Sequence, residues 1–300
     1  MSEHELRTVE VCDRPVFIIG SPRSGTSILA WSLAHHAQFW TSRECHAYFE
    51  LFGGSRAEKA FAADSGPDSW FAEEGVSVYE YLISLGLGIS ALFTKRSGGL
   101  RWIDQTPANT YMVNTWREMF PKARFLHILR DPRRVVWSMM NFGGPLSGED
   151  RAERIAAKEL PEWSANLESA CETWRDTVTV AMDFCSRDAE RGLTVRLEDL
   201  VADPRKEFAK VFGFLDVEEQ PEPAAFFASS RINSSFAPDR WGSPDLPAVA
   251  TPHDDRRGHD PSEHWTDEQR ELFAREIGPV FERWGLDYPL LPALTATSDG

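Results

Sequence analysis

The chain has 300 residues, and its 47 Asp and Glu against 32 Lys and Arg leave a formal charge of −15. Hydrophobic residues make up 42% and charged residues 26%, the usage of a folded globular protein rather than a disordered, collagenous or membrane chain. This balance argues against sequence-independent binding to nucleic acid, which needs a basic face, and no apolar run nears the roughly 18 residues of a membrane span.

Residues 1–14 are polar and lack the basic-then-apolar order of a signal peptide, so a tail is expected there. The first strand is Val16–Ile19, followed by a helix from about Gly25 to His36 and a shorter strand candidate, Phe39–Thr41. Residues 46–99 break the alternation and read as a helical or loop insertion. A weak strand at 101–103 leads to Thr106-Pro107, where threonine is expected to cap a helix with proline at its first position. Next come the apolar strand Arg124–Leu129 and a helix after Asp131-Pro132 with Val135, Val136, Met139 and Met140 on one stripe. A second insertion, 143–162, precedes a long helix whose apolar residues run from Trp163 through Leu167, Trp174 and Val178 to Met182. A strand at 193–197 follows, and the last helix opens at the capping box Thr266-Asp267-Glu268-Gln269 and stops at Gly285. The strongest strands are continuously apolar, as in a parallel sheet covered on both faces. Strand–helix alternation predicts an α/β fold, a parallel sheet flanked by helices with right-handed crossovers. One domain is expected over 15–290, with a tail at 291–300.

The sharpest local signal is Gly20-Ser21-Pro22-Arg23-Ser24-Gly25-Thr26-Ser27, between a buried strand and an apolar helix. Such a turn aims several backbone N–H groups at one spot, and the helix dipole adds positive potential, so a phosphate or sulfate is favoured there. Gly20 and Gly25 let the backbone approach the anion; Ser24, Thr26 and Ser27 add hydroxyls, and Arg23 adds a charged fork. The Gly20-x4-Gly25 spacing fits a phosphate loop, but Thr26 stands where a nucleoside-triphosphate site needs Lys. A magnesium-dependent kinase or hydrolase also needs a metal-holding Asp at a second strand end, and here Leu129 is followed by Arg130.

The loop Pro-Arg-Ser-Gly-Thr-Ser at 22–27 resembles the phosphosulfate loop of sulfotransferases that use 3′-phosphoadenosine 5′-phosphosulfate (PAPS). The block from Phe120 to Ser138 is similar to that family's 3′-phosphate segment, and weaker likenesses follow at 104–107, 195–204 and 281–286. The resemblance covers about residues 15 to 290. It implies a P-loop-like three-layer sandwich with helical insertions, PAPS as donor, and no metal. It implies that Arg23, Ser24, Gly25, Thr26 and Ser27 hold the 5′ end and that Arg130 and Ser138 grip the 3′-phosphate. It further implies a late loop, Arg256-Arg257-Gly258, folding over that phosphate.

The resemblance also points to a base just after the second strand, which is Glu44, with His46 as its chemical rival. Gln105 occupies a position where many relatives carry a lysine, which would leave Arg23 to meet the leaving-group charge alone. Transfer of a sulfuryl group in line to a hydroxyl, amine or phenol is the expected reaction. A nucleotide kinase or hydrolase, and a catalytically weak nucleotide-binding protein of this fold, are the alternatives. His253, His259 and His264 with Asp254, Asp255 and Asp260 match no standard metal-ligand spacing. Aromatic residues between 39 and 81 read as core packing or as the lining of a pocket for a phenolic, lipidic or sugar-like hydroxyl compound; a small-molecule or saccharide acceptor is expected, and the net charge favours a neutral or cationic one. Five basic residues between Lys122 and Arg134 are read as one local patch for the nucleotide. Four cysteines with no CxxC spacing fit a reducing cytoplasm. Homo-oligomerisation is left open.

Overall fold

In a computed structural model, residues 10–230 and 261–288 are described. The first strand, β1 (Val16–Ile19), leads into α1 (Thr26–Leu33), and β2 (Phe39–Thr41) follows. The first insertion folds as four helices, α2 (Ala47–Phe52), α3 (Arg56–Ala63), α4 (Trp70–Glu73) and α5 (Val78–Ser97). After β3 (Arg101–Asp104) come a 3-10 helix, Pro107–Met112, and α6 (Val113–Met119). Then β4 (Arg124–Leu129), α7 (Pro132–Met140) and α8 (Gly148–Ala156) precede a short 3-10 turn at Glu162–Ser164. The long α9 (Leu167–Arg187) returns to β5 (Gly192–Arg196), followed by α10 (Leu197–Ala202), α11 (Pro204–Leu215) and α12 (Pro221–Ser229). Beyond residue 260, a 3-10 turn at Pro261–His264 leads to α13 (Asp267–Trp284).

All five strands lie parallel in the order β2-β3-β1-β4-β5, as the apolar runs predict. Both faces are packed. Val16, Ile18, Leu126 and Ile128 point to one side, among Leu29 and Leu33 of α1 and Phe208 and Phe212 of α11. Phe17, Trp102 and Phe125 point to the other, where Phe17 stacks on Trp116 at 5.2 Å and on Phe125 at 5.4 Å. Leu129, Trp174 and Val178 extend that second layer under α7, α9 and α13. From β1 the chain goes to the edge strand β2, returns to β3 beside β1, then crosses to β4 and β5 on the other side. Ligands in open α/β sheets bind beyond the carboxyl ends of the strands at such a reversal, here above β1, β3 and β4.

Several expectations are corrected in detail. Thr106 caps nothing: Pro107 opens a 3-10 helix, because Asp104 takes both the amide and the hydroxyl of Thr106. The long helix begins at Leu167, so Trp163 lies in the preceding 3-10 turn. Helix α10 starts directly at the end of β5, where no turn residue announces it. The helix after Asp131-Pro132 and the Thr266 capping box form as expected, and Asp131 caps its helix by accepting from the Arg133 amide. Among the described residues no helix is long and apolar enough to cross a membrane.

Gly20 combines a positive φ with a close approach to a neighbouring strand. Its φ is +144°, and a Cβ there would stand 2.6 Å from the Ile128 carbonyl oxygen. Gly213, inside α11, has open space around it and ordinary helical backbone. Strain at a left-handed φ costs about 1–3 kcal/mol before any clash. Gly20→Ala should therefore lower the thermal midpoint by roughly 3–10 °C, whereas Gly213→Ala should leave it unchanged or raise it slightly. Differential scanning calorimetry on both variants measures this directly.

Candidate active site

The loop after β1 is held from three sides. Gly20 donates its N–H to Thr110 Oγ1 at 2.8 Å, and Thr110 returns its hydroxyl to Gly20 O at 3.1 Å. Ser24 turns inward, its hydroxyl donating to Ser21 O at 2.6 Å and its amide to the same oxygen at 3.2 Å. Arg23 adopts φ +68°, which carries its side chain away from the strand axis. Gly25, at φ +105°, is the N-cap of α1 and supplies no side-chain acceptor. The first amides of α1, from Thr26 on, therefore have no acceptor within the helix, and Thr26 and Ser27 lie buried beneath them. That is an anion cradle made of backbone donors and a helix dipole.

The end of β4 closes the other side. Arg130 donates from Nη1 to Arg23 O at 2.8 Å, and Arg23 donates from Nε to Ser138 Oγ at 3.1 Å. Three residues separated by up to 115 positions thus meet in one chain of contacts. The Phe142 ring lies 5.4 Å from the Arg23 guanidinium and packs on Trp163 at 5.0 Å. Arg151, buried, ties the insertion at 143–162 to this wall by donating to the carbonyls of Phe142, Gly144 and Ser164. Burial lowers the Arg130 pKa to about 10, helped by Arg134 and Arg23 and opposed by Glu198. It still carries a full charge at neutral pH. Glu198, at the start of α10, accepts from the Asp131 amide at 2.9 Å and from the Tyr288 hydroxyl at 3.0 Å.

The expected five-residue basic patch divides in two. A six-residue strand is about 20 Å long, so Lys122 and Arg124 lie a full strand away from Arg130. Lys122 pairs with Asp13 at 2.7 Å, and Arg124 donates to Glu190 O at 2.7 Å. Arg133 is buried in an ion pair with Asp131 at 2.7 Å. Of the five, Arg130 stays beside Arg23, and Arg134 lies near enough to Arg130 to lower its pKa.

The third side is the segment after β2. Glu44 is half-buried, and its Oε2 lies 3.1 Å from Nε2 of the exposed His46. The hydrogen bond to Glu44 raises the His46 pKa, desolvation opposes the rise, and the Glu44 charge adds to it. An imidazolium has no lone pair to accept a proton. With His46 protonated, the carboxylate is the proton acceptor of the pair. His127, in the middle of β4, is buried and neutral, its pKa pushed down to about 3 by desolvation, and plays no part in this acid–base pair.

Gln105, at the β3 end, is buried. Its Nε2 reaches Ser42 O at 3.4 Å, and its Oε1 has no partner among the described residues. The late loop residues Arg256, Arg257 and Gly258 lie outside the described residues, as do His253 and His259. Thr106, Thr110, Phe142 and Glu198 went unmarked as site residues in the sequence. Thr106 and Glu198 carried a signal, each lying in a segment that resembles the family, at 104–107 and 195–204.

The whole chain was compared with known proteins. A family model described as the sulfotransferase family matches residues 15–221. A putative protein-tyrosine sulfotransferase of Caenorhabditis elegans is 23% identical over 152 residues, 50% of this chain and 53% of that protein. Protein-tyrosine sulfotransferase 1 of Danio rerio is 24% identical across 67% of this chain and 53% of its own length. The chain spans 50–65% of the length of these curated relatives. The sulfotransferase domain of the curacin biosynthetic pathway shares the fold at a TM-score of 0.50, with 18% identity and 94% and 95% of the two chains covered. The family match runs from the residue ahead of β1 to the first residue of α12 and takes in all five strands, so this chain belongs to the sulfotransferase family.

Proposed function

We propose that the protein transfers a sulfuryl group from PAPS to a hydroxyl of an acceptor molecule. The observation that carries this reading is the Arg130–Arg23–Ser138 contact chain, which puts a second cationic, hydroxyl-lined subsite beside the backbone cradle at the start of α1. A donor with phosphate at both its 5′ and 3′ ends matches two adjoining anion subsites. The α1 amides with Thr26 and Ser27 would hold the 5′ end, and Arg130 with Ser138 the 3′-phosphate. PAPS supplies the activated sulfuryl group.

The protein's own contribution is position and charge. Backbone donors and Arg23 offset negative charge that builds on the departing phosphate. Glu44 takes the acceptor proton while His46 steadies its carboxylate. Gln105 brings no charge where a lysine would, so Arg23 carries that task, and the magnesium-dependent kinase alternative finds an arginine at the β4 end in place of a metal-holding carboxylate.

The acceptor is a neutral or cationic small molecule or saccharide hydroxyl, in keeping with the −15 charge. The curated relatives are named protein-tyrosine sulfotransferases, so a tyrosine phenol belongs in the acceptor panel. A cytoplasmic location, suggested by the cysteine spacing, is part of this proposal.

Two measurements test the assignments. In calorimetry, Arg130→Ala should weaken adenosine 3′,5′-bisphosphate binding by about 10–100-fold and 5′-AMP by less than threefold, since a buried charged hydrogen bond is lost at one phosphate only. Equal losses would remove Arg130 from the 3′ subsite. With radiolabelled PAPS and an acceptor panel, Glu44→Gln should lower kcat by about 10²–10⁴-fold without changing bisphosphate affinity, and His46→Asn by less than tenfold. A His46 variant as slow as the Glu44 variant would reverse the two roles.

A further inference from the structure

In-line transfer depends on the spacing between the base and the bound donor, and two hydroxyls on one short segment hold both partners. Thr106 and Thr110 flank and occupy the 3-10 helix after β3, four residues apart, and both are fully buried. Thr106 Oγ1 accepts from the Cys45 amide at 2.8 Å, and Cys45 lies between Glu44 and His46. The same hydroxyl donates to Asp104 Oδ1 at 2.7 Å, and the Thr106 amide donates there too, at 2.9 Å. Thr110 grips both ends of the Gly20 residue that opens the phosphate loop. Each hydroxyl thus has its proton committed in one direction and a lone pair in the other. Four residues of 3-10 helix span about 8 Å, so the segment has the length to act as a short spacer between the two loops. It is itself anchored: Trp116 Nε1 donates to Asn109 Oδ1 at 2.9 Å, and Met112 lies in the core.

We propose that Thr106 and Thr110 are positioning residues that fix the distance between the Glu44 loop and the phosphate loop. The proposal rests on the sulfotransferase reading with Glu44 as base. Burial raises the Asp104 pKa while the Thr106 donors pull it down, so the carboxylate that orients Thr106 depends on the same hydroxyl it orients. Cooperative pairs of this kind lock a rotamer. A displacement of about 1 Å in a reacting group can cost roughly 10²-fold in rate, so such a lock bears on turnover without touching substrate.

The test compares Thr106→Val, Thr106→Ser, Thr110→Val and Thr110→Ser in the full chain. Three readouts are taken: amide hydrogen exchange at Cys45 and Gly20, calorimetric affinity for adenosine 3′,5′-bisphosphate, and kcat with KM for radiolabelled PAPS. Thr106→Val should speed Cys45 exchange at least tenfold and lower kcat about 10–100-fold, with bisphosphate affinity within twofold. Thr110→Val should speed Gly20 exchange and weaken the bisphosphate about tenfold. Each serine variant should return its own readouts to within threefold of the parent. If a valine chain fails to fold, Thr106→Ala or Thr110→Ala carries the same comparison. A serine variant as impaired as its valine counterpart, or valine variants that lower only the thermal midpoint, would reduce the two residues to ordinary core packing and overturn the proposal. Glu44→Gln measured alongside separates the two ideas: full turnover there, with Thr106→Val slow, would refute Glu44 as base while leaving the spacer standing. Exchange and bisphosphate binding need no acceptor, so they decide the spacer even for a chain that transfers nothing.

Discussion

The close approach of Gly20 to the Ile128 carbonyl is the constraint on which the site depends, because it lets the turn after β1 lie flat against the end of β4. Only a residue without Cβ fits there at that φ. From this approach follow the contacts that matter chemically. Arg130, one residue past β4, can reach the Arg23 carbonyl, and Arg23 in turn reaches Ser138 on α7. The parallel pairing of β1 with β4, from Val16 with Arg124 to Ile19 with His127, sets the register that brings those two strand ends level. Pairing of β1 with β3 does the same on the other side and delivers Thr110 to Gly20.

In a protein of charge −15, the proposed anion site sets Arg130 and Arg23 beside the backbone dipoles at the start of α1. Arg130 stays protonated despite burial, with Glu198 nearby as counter-charge. Glu198 also fixes Asp131 through its amide and meets Tyr288, so the region near the C-terminus of the described chain braces the site from behind. Asp131 caps α7 and neutralises Arg133, which leaves Arg130 and Ser138 on the side toward Arg23. After β2 the charges are arranged oppositely: half-buried Glu44 pairs with His46, and Asp104 lies buried at the end of β3.

The parts legible in the sequence are those whose cause is local. Continuous apolar runs gave both-face burial and hence a parallel sheet, and the strand–glycine–helix order marked the anion cradle with no need of long-range information. Asp131-Pro132 and Thr266 to Gln269 named their helices for the same reason. What was hidden depends on three-dimensional proximity. Basic residues at 122–134 looked like one patch because they are near in sequence, yet a strand in extended form carries its two ends about 20 Å apart. Thr106 looked like a helix cap because Pro107 follows it; the buried Asp104 two residues earlier competes for the same hydroxyl and wins. Thr110 has no local signature at all, since its partner is 90 positions away. The choice between Glu44 and His46 was open for chemistry read one residue at a time, and their contact at 3.1 Å is a feature of the fold that no local pattern announces.

The central claim is that one nucleotide with phosphates at both ends spans the cradle at the start of α1 and the subsite at Arg130 and Ser138. A crystal structure of the chain with adenosine 3′,5′-bisphosphate tests it most directly. The account predicts the 5′-phosphate on the amides of Thr26 and Ser27, and the 3′-phosphate within hydrogen-bond distance of Arg130 and Ser138, with the Glu44 carboxylate facing the 5′ end. A nucleotide bound with its 3′-phosphate directed away from Arg130, or a 5′-phosphate held elsewhere than the 21–27 loop, would contradict it.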